Sequence, residues 1–214
     1  MPGAIVIGAG PGIGTSVARR FAREGMPVAV LARSRPTVES AVAGLPVETL
    51  GVTADVSDES GLRAALDEVL DRFGVPDVLV YNAAVIQQDA LGELTAKQHL
   101  DAWAVNVVGA ITAIAHVGPR MTARGSGTIL LTGGMPEPVP GITSLSLGKA
   151  GVRALAELVA REYEPLGVHV ATVTVTDAVG PGSAFDPDDI AEQYWALHAE
   201  PARSWRRGIV YTGS

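Results

Sequence analysis

The chain has 214 residues, a formal net charge of -7 and no cysteine. This length suits one domain with a sizeable core, so we expect a single domain over residues 1–214. The acidic balance argues against a nucleic-acid partner, while the lack of cysteine and the 4 scattered histidines exclude disulfides and favour no metal site.

The first predicted elements are a buried strand, a glycine turn and a helix. Ala4 to Ile7 form an apolar run that is typical of a strand covered on both faces. The turn that follows contains Gly8, Gly10, Gly12, Ile13 and Gly14, and a helix leads from it toward Gly25. Because a helix N-terminus carries unpaired N–H groups and partial positive charge, the pattern predicts a pyrophosphate site. An ordinary tight turn is the alternative interpretation.

The second strand, Pro27 to Ala32, ends in Arg33-Ser34-Arg35. An acidic residue about 20 positions past the glycines accepts the ribose hydroxyls of NAD, whereas arginine there suits the 2′-phosphate of NADP. No acid is present at this strand end. The residues Arg33 and Ser34 therefore favour NADP(H) over NAD(H), and solvated surface is the alternative.

The rest of the chain alternates between strands and helices. We predict strands at Leu45 to Thr53, Asp77 to Tyr81, Gly127 to Thr132, Val168 to Val175 and Arg207 to Tyr211, and helices from a cap at Ser57 to Phe73, from Ala96 to Ala123, from Ser144 to Tyr163 and from Asp186 to His198. This order predicts an α/β fold, a Rossmann-type doubly wound parallel sheet of about seven strands with helices on both faces.

Polar residues and glycines gather at the carboxyl ends of these strands, where such sheets bind ligands. The glycine turn, Arg33, Asp55, Asn82 and Gly133 all stand at such ends. We therefore expect one crevice to collect them, and we expect the segment at about 176–200, with Trp195 and Leu197, to cover a substrate there.

In their order and spacing these motifs resemble the short-chain dehydrogenase/reductase family. The matching features are the glycines Gly8-x-x-x-Gly12-x-Gly14, the adenine-contacting pair Asp55-Val56, the segment Asn82-Ala83-Ala84, the helix asparagine Asn106 and the lysine Lys149. The resemblance spans Ala4 to about Val175. It implies a nicotinamide cofactor, oxidoreductase activity on a small-molecule substrate, and a homodimer or homotetramer.

The catalytic half departs from the family pattern. Counting back from Lys149, the tyrosine of Tyr-x-x-x-Lys is replaced by Leu145, and the family's serine aligns with Gly134. The Pro-Gly expected after the sixth strand is replaced by Val175-Thr176. Lys149 can still contact the nicotinamide ribose, but leucine cannot donate a proton to an alkoxide.

Substitute proton donors must come from the same crevice. The candidates are Tyr81, Thr132, Ser144 and Ser146, and Asn106 and Lys149 complete the expected catalytic set. Tyr81 has suitable chemistry, although an aromatic ring at a strand end also serves ordinary packing. An unassisted serine hydroxyl is a poor acid.

The sequence thus leads first to an NADP(H)-binding oxidoreductase that acts on a carbonyl or enone-type substrate with a non-standard proton donor. Leu145 and Gly134 keep two alternatives open, a cofactor-binding sensor without redox turnover and a non-redox cyclase or isomerase. No uninterrupted apolar run reaches the roughly 18 residues of a membrane span, so we expect a cytoplasmic protein with no membrane partner.

Overall fold

A computed structural model describes residues 3–213, which form a sheet of seven parallel strands. The strands are β1 (Ala4–Ile7), β2 (Val28–Ala32), β3 (Thr49–Thr53), β4 (Val78–Tyr81), β5 (Gly127–Gly134), β6 (Val168–Val175) and β7 (Gly208–Tyr211). Their order across the sheet is β3-β2-β1-β4-β5-β6-β7. This arrangement confirms the predicted doubly wound fold.

Helices cover both faces of the sheet. They are α1 (Ile13–Arg23), α2 (Arg35–Val42), α3 (Glu59–Phe73), α4 (Ala96–Trp103), α5 (Gly109–Arg124), α6 (Thr143–Tyr163) and α7 (Pro187–His198). Side chains of α1, α2 and α7 share one apolar cluster with one face of the sheet, and side chains of α3, α5 and α6 share a second cluster with the other. Each central strand is therefore buried on both sides, which explains the continuous apolar runs.

The order in which successive strands are added to the sheet reverses at β1. The chain passes from β1 to β2 on one side, and β4 pairs with β1 on the other side. In an open α/β sheet, a crevice for ligands opens at the carboxyl ends of the strands at such a point. The glycine turn after Ile7 and the segment after Tyr81 therefore lie side by side at this crevice.

The elements around the third strand differ from the prediction. Strand β3 begins at Thr49, not at Leu45, and helix α2 was not predicted at all. Helix α3 is capped by Asp58, whose carboxylate accepts the Gly61 N–H at 3.1 Å. Ser57, the predicted cap, instead donates its hydroxyl to the Asp55 carboxylate at 2.7 Å.

The predicted helix from Ala96 is interrupted by one π-helical turn, Ala104–Val108, which joins α4 to α5. By length and composition alone, residues 96–124 form a helix that could cross a membrane, contrary to our expectation from uninterrupted apolar runs. Half of its apolar window is buried within the protein, where Val107, Ala110 and Ile114 join the core. Its apolar character is that of a helix packed on a sheet.

Candidate functional site

The glycine turn between β1 and α1 combines tight backbone packing with open space. Gly8 has φ 87°, and a Cβ there would lie 2.4 Å from the Ala83 nitrogen, so only glycine lets β1 pass beside the segment after β4. Gly12 has φ 110°, and a Cβ at Gly10 or Gly12 would meet no protein atom within 4 Å. The turn therefore borders a space that a ligand can occupy.

The N-terminus of α1 opens onto that space without a protein cap. Gly12 offers no side chain, and the first turn of the helix contains no acidic residue. A Cβ at Gly14 would lie 2.3 Å from the Gly8 carbonyl oxygen, so this glycine lets the helix start directly behind the strand. Uncapped N–H groups beside an open cradle fit the pyrophosphate of a dinucleotide.

The end of β2 supplies the cationic edge of the crevice. Arg33 is exposed, and Ser34 caps α2 by accepting the Thr37 N–H at 3.3 Å. Hydrogen bonds from the Ser57 hydroxyl and N–H, aided by the positive charge of Arg33, lower the pKa of Asp55. Arg33 and the ionised Asp55 therefore stand close together at the predicted adenosine end of the site.

Val56, the partner of Asp55 in the predicted adenine-contacting pair, is buried beneath helix α5. A Cβ at Gly109 would lie 2.9 Å from the Val56 carbonyl oxygen. The close approach of α5 thus fixes the backbone at Asp55-Val56.

The segment Asn82-Ala83-Ala84 connects the glycine turn to the long helix. Asn82 donates its amide to the Gly8 carbonyl at 2.8 Å. Beyond the two alanines, the Val85 N–H donates to the Asn106 side-chain oxygen at 2.7 Å. The backbone after β4 is therefore fixed at both ends.

Asn106 lies in the π-helical turn and is only 2% exposed. Its oxygen satisfies the Val85 N–H, while its side-chain nitrogen has no partner among the described residues. A Cβ at Gly148 would come within 2.8 Å of that nitrogen, so the glycine lets α6 pack directly against the amide. Neighbouring backbone therefore satisfies the buried amide of Asn106 at its oxygen alone.

Lys149 is buried at the carboxyl end of β5. Its ammonium donates to the Thr132 carbonyl oxygen at 2.8 Å, and two of its three N–H groups remain for other acceptors. Burial, together with the positive charge of Arg153, lowers the pKa of Lys149 to about 8. A Cβ at Gly134 would lie 3.5 Å from the Lys149 Cε, so the missing serine leaves space beside the lysine stem.

Sequence reasoning missed Arg153. Its guanidinium donates to the Gly134 carbonyl at 3.0 Å and to the Met135 carbonyl at 2.9 Å. Met135 has φ 48°, the one positive φ outside glycine in residues 3–213. Arg153 therefore supports a strained corner beside Lys149, and its spacing of four residues from Lys149 on one helix was the available signal.

The structure removes Tyr81 from the candidate proton donors. Its side chain joins the core between the sheet and α5, where its hydroxyl donates to the Val105 carbonyl at 2.5 Å. Burial raises the pKa of the Tyr81 hydroxyl further above its ordinary value. This position argues against the proposed catalytic role, because β-strand alternation turns the ring toward the helices.

The hydroxyl candidates are also engaged elsewhere. Thr132 donates to the Asn82 oxygen at 2.8 Å and lies 2.6 Å from the Tyr194 hydroxyl. Ser146 contacts the backbone of Val139, accepting its N–H at 3.1 Å and donating to its carbonyl at 3.2 Å. Both residues therefore hold structure together, and these bonds argue against their predicted role as proton donors.

Ser144, the remaining hydroxyl candidate, is buried at the N-terminus of α6. Its backbone N–H donates to the buried Asp89 carboxylate at 2.9 Å, and its hydroxyl lies 3.4 Å from the Gln87 side-chain nitrogen. Leu145, at the position of the family's tyrosine, is 8% exposed. Ser144 accepts from Gln87 and keeps its own proton, so Ser144 and Lys149 are the nominated donors that still have a proton to give.

Only part of the segment expected to cover a substrate lies at the crevice. The loop at 176–186 follows β6 and is fastened to β7, where the Tyr211 hydroxyl donates to the Ala184 carbonyl at 3.2 Å. Leu197 is fully buried in the core, and the Trp195 ring packs on Phe21 of α1. The prediction that these two residues cover a pocket was wrong because α7 lies along α1.

The comparisons agree with this arrangement. The family model described as short chain dehydrogenase matches residues 3–179. A 3-oxoacyl-[acyl-carrier-protein] reductase FabG of Staphylococcus aureus is 33% identical over 84% of this chain and 73% of the relative. A short-chain dehydrogenase/reductase of Armillaria gallica is 30% identical over 86% of this chain and 71% of the relative.

Solved structures give the same result. A variant of the actinorhodin polyketide ketoreductase with NADPH matches with a TM-score of 0.91 and 26% identity, over 99% of this chain and 96% of that one. A metagenomic short-chain oxidoreductase in complex with NADP matches with a TM-score of 0.88 and 27% identity, over 98% and 96% of the two chains. This chain, with its glycine turn, Asn82, Asn106 and Lys149 gathered at one crevice, belongs to the short-chain dehydrogenase family.

Proposed function

We propose that the chain is an NADP(H)-dependent oxidoreductase that reduces a carbonyl or enone-type small molecule with a proton donor other than tyrosine. The observation that carries this proposal is the open, uncapped glycine turn at the same strand ends as Lys149. The names of two similar proteins, a 3-oxoacyl reductase and a ketoreductase, support an oxo group in the substrate.

Separate parts of the crevice would hold the cofactor. Gly10, Gly12 and the N–H groups at Ile13 and Gly14 would receive the pyrophosphate, because they border open space at the helix N-terminus. Arg33 and the Ser34 cap would receive a 2′-phosphate, which favours NADP(H) over NAD(H). The adenine would lie against Asp55-Val56, and the middle of the cofactor would lie against Asn82-Ala83-Ala84. Lys149 would donate hydrogen bonds to the nicotinamide ribose.

A nicotinamide cofactor held by the glycine turn and Lys149 would supply a hydride. Once the carbonyl carbon of the substrate has received it, the carbonyl oxygen carries negative charge and needs a proton. We infer that the Lys149 ammonium supplies this proton, directly or through one water, since Tyr81, Thr132 and Ser146 donate their hydroxyl protons elsewhere. The remaining hydroxyl, that of Ser144, is an unassisted serine and a poor acid. The neutral amine then recovers its proton from solvent.

A cofactor-binding protein without turnover is the second candidate. Leu145 replaces the protic side chain that the family places over the nicotinamide, and the side chain at Gly134 is absent. This candidate shares the glycine turn and Arg33 with the first. The two differ in whether bound NADPH is consumed.

The experiment is a fluorescence titration with NADPH and NADH, followed by NADPH oxidation with a panel of ketones, 3-oxo thioesters and enones. We expect NADPH binding and oxidation in the wild type, and loss of both in Gly10→Val, whose Cβ meets no protein atom and so fills ligand space only. Arg33→Ala should weaken NADPH about tenfold and leave NADH unchanged, because only NADPH carries the 2′-phosphate. Ala64→Val on the exposed surface of α3 is the control.

Absence of NADPH binding in the wild type would contradict the proposal as a whole. Binding without oxidation of any panel member would favour the protein without turnover. Binding to Gly10→Val with unchanged affinity would show that the pyrophosphate does not lie on this turn.

We also propose that the chain forms a homodimer or homotetramer through α6. Its outward face carries the exposed Leu147, Ala154 and Leu158 and the half-buried Gly151, which follow one another at helical spacing. The Trp103 ring of α4 packs beside Gly151, where a Cβ would lie 2.8 Å from it. A second copy would bury this apolar stripe.

A further inference from the structure

We propose that Tyr194 of α7 is a positioning residue for the cofactor turn, acting through Thr132 and Asn82 on the Gly8 carbonyl. The inference rests on the proposed function, because its ligand is the dinucleotide assigned to that turn. Tyr194 lies outside the crevice and touches neither the expected cofactor nor the substrate.

Three hydrogen bonds connect Tyr194 to the turn. The Tyr194 hydroxyl lies 2.6 Å from the Thr132 hydroxyl, which lies 2.8 Å from the Asn82 side-chain oxygen. The Asn82 side-chain nitrogen lies 2.8 Å from the Gly8 carbonyl oxygen. The chain of contacts crosses from α7 through β5 and the end of β4 to the end of β1.

Chemistry fixes the direction of each bond. The Gly8 carbonyl can only accept, so Asn82 presents its nitrogen there and its oxygen to Thr132. Thr132 must then donate its one proton to Asn82, and Tyr194 must donate to Thr132. Because each hydroxyl has one proton to donate, removal of the Tyr194 hydroxyl leaves the Thr132 oxygen without its donor.

Burial makes the connection energetically significant. Tyr194 is fully buried, and Thr132 is 6% exposed. Burial raises the pKa of the Tyr194 hydroxyl, so it stays a neutral donor across the ordinary pH range. Leaving a buried polar group without its partner costs more free energy than a typical intramolecular hydrogen bond contributes to stability.

The Gly8 carbonyl at the end of the connection is tightly confined. Asn82 donates to it, and a Cβ at Gly14 would come within 2.3 Å of it and within 3.0 Å of the Asn82 nitrogen. Gly8 has φ 87°, which glycine adopts without strain, so neighbouring bonds decide how its peptide unit is oriented. Rotation of the peptide unit after Gly8 would shift Ala9 and Gly10, and with them the space assigned to the pyrophosphate.

Helix α7 also contacts the other side of the turn. Trp195 packs edge-on against Phe21 at 5.7 Å, and Glu192 accepts from Arg20 at 2.7 Å, both on α1. The same helix therefore fixes the strand before the glycines through Tyr194 and the helix after them through direct packing. This geometry gives Tyr194 a role in preorganising the turn rather than in packing alone.

The test is a double-mutant cycle on NADPH affinity, measured by fluorescence titration well below the melting temperature. Tyr194→Phe keeps the ring, and Thr132→Val keeps the shape of the side chain. We expect each to weaken NADPH about tenfold, and we expect the double variant to be no weaker than Thr132→Val, because both act through one series of bonds. Thr132→Ser keeps the hydroxyl and should retain the wild-type affinity.

Tyr163→Phe is the matched control. Tyr163 ends α6, and its ring packs against Gly118 on the opposite face of the sheet. This variant should leave the NADPH affinity unchanged. Circular dichroism and thermal unfolding of each variant separate loss of fold from loss of affinity.

Wild-type affinity in Tyr194→Phe, or full additivity in the double variant, would overturn the proposal. So would equal losses in Thr132→Ser and Thr132→Val. Should Tyr194→Phe fail to fold, the Thr132 pair still tests the hydroxyl through which Tyr194 acts, and equal losses in the pair overturn the proposal. Failure of the wild type to bind NADPH would instead contradict the proposed function.

Discussion

At the level of single residues, Lys149 and its neighbours determine which chemistry the crevice can support. The lysine was predicted from its place in the motif, but its contact with the Thr132 carbonyl and its neighbour Arg153 emerged only in the structure. Leu145 and Gly134 remove two hydroxyls without adding a replacement. An ammonium that is buried and close to a second cation loses its proton more easily than a free lysine.

The pH dependence of reduction follows from this setting. The pKa of Lys149 is lowered to about 8, so the ammonium is present below that pH and lost above it. We expect kcat for carbonyl reduction to fall as the pH rises through about 8. Arg153→Gln should move this decline to higher pH because removal of a neighbouring cation raises the pKa of Lys149.

Arg153→Lys is the control, since it keeps the positive charge and should leave the decline in place. The charged group that acts on Lys149 is Arg153 of the same helix, while β5 and the π-helical turn present the uncharged Thr132 and Asn106. A decline that stays at the same pH in Arg153→Gln, with NADPH binding intact, would exclude Lys149 as the proton source.

Close contacts between elements decide where α5 lies. A Cβ at Gly109 would meet the Tyr81 hydroxyl oxygen at 2.3 Å and the Val56 carbonyl at 2.9 Å. Tyr81 therefore has a packing role, and its hydroxyl satisfies the Val105 carbonyl in the π-helical turn. Sequence periodicity predicted one uninterrupted helix here. A single π-helical turn inserts one extra residue, which changes the spacing of apolar residues too little to be recognised.

Gly109→Ala tests this packing. Helix propensity alone would make alanine more stable by about 1 kcal/mol. We expect the opposite, a loss of about 1–3 kcal/mol in the free energy of unfolding, because the new methyl group overlaps Tyr81. Urea denaturation measures the difference.

The second variant in this test is Gly109→Ala combined with Tyr81→Phe, which removes the atom that the methyl group meets first. It should recover part of the lost stability. Equal or greater stability of Gly109→Ala alone would show that α5 is free to move away from β4.

At the scale of the whole molecule, the property to test is self-association. The apolar stripe of Leu147, Gly151, Ala154 and Leu158 runs along α6, whose buried face carries Lys149. An interface there would lie behind the crevice without covering it. Self-association would then affect the stability of the site more than its access.

Light scattering on the purified protein tests the assembly. We expect the mass of a dimer or tetramer, and we expect Leu158→Glu to shift it toward the monomer because a carboxylate would be buried at the interface. Leu166→Glu, an exposed leucine beyond the end of α6, should leave the assembly unchanged. A monomeric wild type at micromolar concentration would refute the proposal.

The sequence by itself determined the alternation of strands and helices, the glycine turn after β1 and the strand ends that form the crevice. These features are local, because apolar periodicity and glycine spacing reflect burial and backbone conformation within a few residues. Arg33 and Asn82 were predicted for the same reason, since each stands at a strand end, and Lys149 was predicted from the resemblance to the family motif.

Only the tertiary structure decided which side chains face the crevice. By their positions in the chain, Tyr81, Thr132 and Ser146 could have faced the crevice. Each instead forms a hydrogen bond with a residue at least seven positions away in the sequence. Trp195 and Leu197 pack on α1 and the core because the sheet places α7 there. The direction of a side chain depends on the face of the sheet and on packing between residues far apart in sequence. The local sequence pattern determines neither which helix covers a face nor which hydroxyl is left without a hydrogen-bond partner.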